Sequence, residues 1–248
     1  GYDFSLNMLQ IINGVLIWDD QSSSNLQKFE DVDITAKADS LHGPFDVNGG
    51  LVWNGRKIES KITTSTLDFK NSLYPIKIQM ALPESNVIAS YGGTIRMQQD
   101  KIAADGDINL TIDNLGKAVS GLSPDQSSSI PGELSGKTTL DGKLSYDSEK
   151  ILLSNLRLEN GNLSYLGNFS LAPLSGIGAG EVVGAGQAAP EISFSLNSAD
   201  KVPNDSSVLE KFLDDLSIEA RGSLQNGTIQ LRESRVLLDN NDLSLTGS

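Results

Sequence analysis

The stretch that decides the class of fold is Ile76-Lys77-Ile78-Gln79-Met80-Ala81-Leu82. Large apolar residues take every second position, and polar or small ones fill the gaps. Successive side chains of an extended strand point to opposite sides of a sheet, so this spacing gives one apolar and one polar face. The same period recurs at Ile108, Leu110 and Ile112, which alternate with Asn109, Thr111 and Asp113, and at Ile192, Phe194 and Leu196. Shorter runs stand at Val32, Ile34 and Ala36, at Leu156 and Leu158, at Phe169 and Leu171, and at Leu243 and Leu245.

Turn signals punctuate these runs: Asn13-Gly14, Asn54-Gly55, Asp105-Gly106, Asp141-Gly142, Asn160-Gly161 and Asn226-Gly227. Such pairs supply the positive φ that tight hairpins require. The resulting expectation is an all-β fold, mainly an antiparallel meander of twisted, bent sheets that can leave an open apolar groove. One or two short helices are expected beside it. One runs from Leu115 to about Leu122 and is ended by Ser123-Pro124. The other lies within Asn204 to Leu216, at about 205–216, with Asp205 or Ser206 as N-cap. Its Val208, Leu209, Phe212, Leu213 and Leu216 form one apolar stripe. Both read as packing devices that cover a sheet end or plug an opening. Asp and Glu rather than Lys and Arg on the polar face of the second argue against a membrane-surface helix.

Two segments read as loops or linkers. Ser123 to Gly132 is rich in Ser, Pro and Gly, and Ala172 to Pro190 carries Gly176, Gly178, Gly180, Gly184 and Gly186 with almost no charge. No Gly-Lys-Ser/Thr follows the second, so it is a flexible linker and not a phosphate cradle. The expected organisation is a β region at 1–122, a loop at 123–132, and a second β-repeat region at 133–248 with the Gly-rich loop at 172–190. Ile12 to Asp19, Leu158 to Tyr165 and Leu224 to Leu231 share a loose plan: an apolar strand end, Asn-Gly, then a new alternating strand.

The net charge of −13 and pI near 4.4 exclude a nucleic-acid partner and disfavour adhesion to an anionic membrane, because both need clustered Lys and Arg. The absence of Cys excludes a disulfide framework, a thiol nucleophile and Cys-based metal sites. No apolar run approaches the ~20 residues that span a bilayer. Gly1-Tyr2 carries no start Met and no signal peptide, and Leu245-Thr246-Gly247-Ser248 reads as the middle of a repeat. The expectation is a piece of a longer protein.

Chemistry is hard to place. The single histidine, His42, precedes Gly43-Pro44 and reads as a surface turn residue. Gly132-Glu133-Leu134-Ser135-Gly136 has the wrong spacing for a nucleophile elbow. The carboxylate groups Asp19-Asp20, Glu30-Asp31-Asp33, Asp105-Asp107 and Asp239-Asp242 lack the spacing of a calcium loop, and Asp is favoured in turns for its own backbone hydrogen bonds. Trp18, Trp53, Tyr146, Tyr165 and Phe194 fall within alternating strands and read as core. The chain is therefore expected to be no enzyme, with no cofactor and no metal.

From Gly14 to about Ile62 the order of motifs is specific. Gly14-Val15-Leu16-Ile17-Trp18-Asp19-Asp20 is followed by Leu26-Gln27-Lys28-Phe29-Glu30-Asp31-Val32-Asp33-Ile34, then by His42-Gly43-Pro44-Phe45-Asp46-Val47-Asn48-Gly49-Gly50-Leu51-Val52-Trp53-Asn54-Gly55. This order resembles the AsmA family: a Gly-led strand with an acidic end, an acidic-hydrophobic strand, and a Gly-Pro turn into a Gly-interrupted hairpin. Leu153 to Leu171 and Ile229 to Gly247 are similar to the weaker hairpin repeats of such proteins. The resemblance implies a periplasmic piece of an envelope protein anchored in the bacterial inner membrane, related to TamB-type and other bridge-like lipid carriers. It also implies a sheet curled into a channel whose dry interior accepts acyl chains.

The lining expected for such a channel is Ile76, Ile78, Met80 and Leu82, then Ile108, Leu110 and Ile112, then Ile192, Phe194 and Leu196. The partner would be phospholipid or another acyl lipid, and the work would be phospholipid transport or outer-membrane assembly without a covalent step. The same alternation is equally compatible with the closed core of a sandwich. A second reading is a scaffold that holds an envelope protein partner by strand addition, without a lipid groove. A third, a parallel β-helix acting on polysaccharide, is opposed by the frequent hairpin turns.

Overall fold

The computed structural model describes residues 6–20, 25–98, 101–122, 132, 135–172, 189–199, 203, 206–225, 228–238 and 241–246. Of these, 73% are strand, which makes the class all-β. The chain divides into two units, Gly1–Ile112 and Asp113–Ser248.

The first unit contains β1 (Leu6–Asp20), β2 (Asn25–Ala38), β3 (Phe45–Trp53), β4 (Arg56–Thr64), β5 (Leu73–Leu82), β6 (Val87–Gln98) and β7 (Lys101–Ile112). Each pairs antiparallel with the next. Asn54-Gly55 makes the tight turn expected of it. Both residues have positive φ (51° and 73°), and Trp53 lies opposite Arg56. A 3-10 turn, Pro83–Ser85, joins β5 to β6 and ends at Asn86 in the left-handed region.

The second unit contains α1 (Leu115–Leu122), β8 (Thr138–Tyr146), β9 (Ile151–Asn160), β10 (Leu163–Ala172), β11 (Glu191–Ser198), α2 (Val208–Leu213), β12 (Ser217–Gln225), β13 (Thr228–Leu238) and β14 (Asn241–Thr246). Its strands also pair antiparallel in chain order. Residues 123–131 and 173–188, most of the two expected loops, lie outside the described residues, as does the Asn226-Gly227 turn.

Three of the expected turns are not turns. Asn13-Gly14 sits inside the 15-residue β1, where Asn13 has φ 52° and the register to β2 shifts on either side. Asp141-Gly142 lies inside β8, beside a register shift. Asp105-Gly106 lies in the regular ladder of β7, with Gly106 opposite Gly93. Strand glycines mark bulges or close approaches as readily as hairpins. A Cβ at Gly106 would stand 2.6 Å from the Tyr91 ring, and one at Gly142 would stand 2.6 Å from Leu156. Neighbouring side chains occupy that space, so the chain runs straight on.

α2 is shorter than expected. Its N-cap is Ser207, whose Oγ accepts from the Glu210 N–H (3.2 Å), while the Glu210 carboxylate accepts from the Ser207 N–H (2.8 Å). This reciprocal box starts the helix after Asp205 and Ser206, the expected caps. The expected stripe is not buried as a unit: Val208 and Phe212 are exposed, while Leu209, Leu213 and Leu216 are half-buried.

Few side chains are fully buried. In the first unit they are Val32, Ala38 and Val87 among the apolar residues described. In the second they are Ala118, Leu156, Leu163 and Tyr165. Trp18 and Trp53, expected in the core, are 64% and 39% exposed. Phe29 stacks beside Trp53 (6.3 Å between centroids), whose indole N–H donates to Gln27 (2.9 Å). His42 is exposed at its turn, with its ring edge against Phe69.

Candidate functional site

Register decides which side chains share a face. In the first unit Ile76, Ile78, Met80 and Leu82 of β5 lie opposite Gly93, Tyr91, Ala89 and Val87 of β6. Those four in turn lie opposite Gly106, Ile108, Leu110 and Ile112 of β7. The β5 and β7 groups, distant in sequence, therefore stand on one face with β6 between them. On the other side of β5, Ile62 of β4 lies opposite Ile78, and Val47 of β3 lies opposite Ile62. The face continues through Leu51 opposite Ile58, Ala36 opposite Val47, and Ile11 opposite Ile34.

In the second unit Ile192, Phe194 and Leu196 lie opposite Leu171, Phe169 and Gly167 of β10. On their other side stand Gly222, Ala220 and Ile218 of β12. Ile151 and Leu153 extend the face beyond β10, and Val236 extends it beyond Ile218. This group belongs to its own unit and is described separately from the first.

None of the ten expected lining residues is buried. Met80 is 47% exposed and the other nine are half-buried. In a sandwich, side chains from two inner faces interdigitate and the central ones lose nearly all contact with water. Here the candidates are shielded only to the degree that neighbours in one layer provide.

Cover is present at one end of the second unit. There Leu163 is 3% exposed and Tyr165 6%. The Tyr165 hydroxyl donates to the Leu213 carbonyl at the end of α2 (3.1 Å), and Asn162 donates to Glu210 (3.1 Å). Burial pushes the Tyr165 phenol above its ordinary pKa, with Asp214 adding to the shift. Along β10 the burial relaxes from Leu163 and Tyr165 to half-exposed Phe169 and Leu171. The helix thus covers the Leu163–Tyr165 end of the apolar face, while the Phe169–Leu171 end is half-exposed among the described residues.

Tyr91 has a comparable local role in the first unit. Its ring covers the Gly93–Gly106 pair and its hydroxyl donates to the Asp105 carbonyl (3.2 Å). Burial first, and Asp105 second, hold its phenol above the ordinary value. A large side chain laid over paired glycines restores apolar cover where β6 and β7 have no side chains of their own.

The opposite face is polar. Lys57 pairs with Glu59 (2.7 Å), and Arg96 pairs with Asp105. A depression of about 720 Å3 in the first unit is lined by Gln10, Asp33, Thr35, Asn48, Lys61 and Gln79 of this face, together with Ile11, Ile12 and Ile34. It is not formed by the expected lining residues. Among the described residues no group of three His, Asp or Glu side chains is placed to hold a metal ion, and no helix is long and apolar enough to cross a membrane.

Alternation alone did not reveal the β6 contribution of Val87, Ala89 and Tyr91. Val87-Ile88-Ala89-Ser90-Tyr91-Gly92-Gly93 breaks the apolar–polar rhythm with Ile88 and two glycines. The usable signal is Tyr two residues before Gly93, opposite a strand that also carries a glycine. Three comparisons with known proteins close the description: no family model matches the chain, no curated protein matches it, and no solved structure matches it.

Proposed function

We propose that this chain is a non-catalytic periplasmic module of an inner-membrane-anchored, AsmA-like envelope protein. It contributes to phospholipid transport between membranes or to outer-membrane assembly by shielding acyl chains on an apolar sheet face. The observation that carries this reading is that, among the described residues of each unit, registered and uncharged rows of large apolar side chains remain half-exposed. Apolar surface left facing water is costly, so a surface built this way is used to meet something apolar.

The dimensions agree with an acyl ligand. Ile76 to Leu82 spans about 20 Å of strand at ~3.3 Å per residue. One leaflet of bilayer hydrocarbon is about 15 Å deep. A chain laid along β5 to β7 would exchange water for Ile78, Tyr91 and Ile108 on its way, while head groups stay in solvent. No proton transfer or covalent step is involved.

Native mass spectrometry of the chain purified without detergent, followed by organic extraction, tests this. Bound phospholipid that disappears in folded Ile78→Asp and Leu110→Asp variants supports the reading. A lipid-free mass for the parent chain after exposure to phospholipid vesicles refutes it.

A further inference from the structure

We infer that the polar face of the first unit binds a segment of acidic polysaccharide, with Lys61 and Lys77 holding its carboxylates. This face lies opposite the acyl-chain surface, so the inference goes beyond the lipid reading and does not depend on it. Register sets one residue from each of six strands in a single row: Thr35 of β2, Asn48 of β3, Lys61 of β4, Gln79 of β5, Ser90 of β6 and Asn109 of β7. All six carry hydrogen-bonding side chains and none is acidic. At ~4.8 Å between neighbouring strands, the row is about 24 Å long. Each step is close to the length of one sugar unit in an extended glycan.

The middle of the row carries two cations. Lys77 is two residues before Gln79, the residue opposite Lys61, so the lysines are diagonal neighbours on one face, about 7–8 Å apart. Among the described residues neither side chain forms an ion pair or a hydrogen bond. The acids that adjoin them in register are engaged elsewhere. Glu59 pairs with Lys57 (2.7 Å), Asp46 accepts from the Asn48 amide, and Asp107, across Gly92 from Lys77, also has a partner. A depression of about 350 Å3 is lined by Lys61, Thr63, Lys77, Gln79 and Ser90 of this face and by Gly92, together with Ile78 and Tyr91. No carboxylate is among them. Gly92 keeps the space open, since a Cβ there would meet only the Lys77 side chain, at 3.9 Å. Two like charges drawn together without an acid between them leave a place for an anion.

Three features select an acidic glycan as the occupant. The space is longer than one anion needs. The depression of about 720 Å3 shares Lys61 and Gln79 with the one between the lysines, and another of about 320 Å3 shares Thr63 and Lys77 with it. A phospholipid head group would use the lysines alone and would draw its acyl chains onto a polar face. The flanking chemistry is that of sugar recognition: the amides of Asn48 and Gln79 and the hydroxyls of Thr35 and Ser90 can each donate and accept, as sugar hydroxyls do. The row has no aromatic ring for bases to stack on, which opposes a single-stranded nucleic acid. The chain as a whole carries −13, so attraction of a polyanion is confined to this patch.

Calorimetric titration with oligogalacturonate of graded length, at low salt, tests the proposal. Affinity should rise with oligomer length and level off once the oligomer spans the row. Lys61→Gln and Lys77→Gln should each weaken binding by about fivefold, and the double variant by more than about tenfold. Both positions are exposed, so far-UV circular dichroism should match the parent. Lys143→Gln, at an exposed position on β8 of the second unit, should leave the affinity unchanged. A neutral cello-oligosaccharide of equal length should bind at least about tenfold more weakly. Failure of every oligogalacturonate to bind, binding indifferent to both lysines, or monomeric galacturonate binding as tightly as the long oligomer would each overturn the proposal. So would phosphatidylglycerol vesicles whose binding is lost in the double variant, since the lysines would then hold a lipid head group.

Discussion

Replacing Ile78 by aspartate separates an open apolar face from a sealed core by magnitude. Ile78 is half-buried between Ile62 of β4 and Tyr91 of β6. Complete burial of an Ile side chain is worth roughly 1.5–3 kcal/mol, so forfeiting about half costs about 1 kcal/mol. The poor fit of Asp on a strand adds up to about 1 kcal/mol. Because the position stays in contact with water, the carboxylate remains hydrated and the several kcal/mol of burying an unpaired charge is not incurred. The expected loss is about 2 kcal/mol, or a fall of about 1 M in the urea midpoint at a typical slope of ~2 kcal/mol per M. Both tryptophans, Trp18 and Trp53, belong to the first unit, so urea titration followed by their fluorescence reports on the unit that is changed. A variant that is unfolded without urea would refute the reasoning. The control is Leu163→Asp in the second unit, where 3% exposure leaves no water for the charge and unfolding of that unit is expected.

Tyr165→Phe should cost about 1 kcal/mol, the worth of the hydrogen bond to the Leu213 carbonyl, and should speed amide exchange across Val208–Leu213; unchanged exchange would contradict the docking role of α2. Ser207 first, then Asn162, hold the Glu210 carboxylate below its ordinary pKa. A lowered pKa favours the folded state fully above the unfolded value and less as pH falls through the folded one. α2 should therefore loosen on the acid side of the ordinary carboxylate range, and Glu210→Gln should flatten that acid limb of the exchange profile. Gly106→Val should destabilise the first unit by about 1–3 kcal/mol, since its Cβ would stand 2.6 Å from both the Tyr91 ring and the Gly92 carbonyl; a neutral fluorescence-detected midpoint would show that Tyr91 is free to move aside.

The strands were legible where the apolar rhythm is unbroken. Ile76 to Leu82, Ile108 to Ile112 and Ile192 to Leu196 all lie on strands, each group on a single face of its unit. Period two states that one face is apolar, but it does not state whether another layer meets that face. That is why the ten candidates could be read equally as groove or as core. Glycine was the weak signal. Asn54-Gly55 turns the chain, whereas Asn13-Gly14 and Asp141-Gly142 sit at irregularities within strands and Asp105-Gly106 lies in a regular ladder. The distinction depends on whether a side chain such as Tyr91 or Leu156 fills the space above the glycine, which local sequence does not record. Trp18 misled for a related reason: its alternating setting reads as core, but it stands on an edge strand with nothing on its far side among the described residues.

The central claim, that the apolar faces receive acyl chains, is tested most directly by photocrosslinking from both faces of the same strands. A photoreactive phenylalanine analogue placed at Ile78, Leu110 or Phe194 samples the apolar faces, and one at Lys77, Gln79 or Ser195 samples the opposite sides. After incubation with phospholipid vesicles and irradiation, mass spectrometry should find lipid adducts at Ile78, Leu110 and Phe194 and none at the other three. Adducts spread evenly over the six positions, or absent from the apolar ones, would contradict the account.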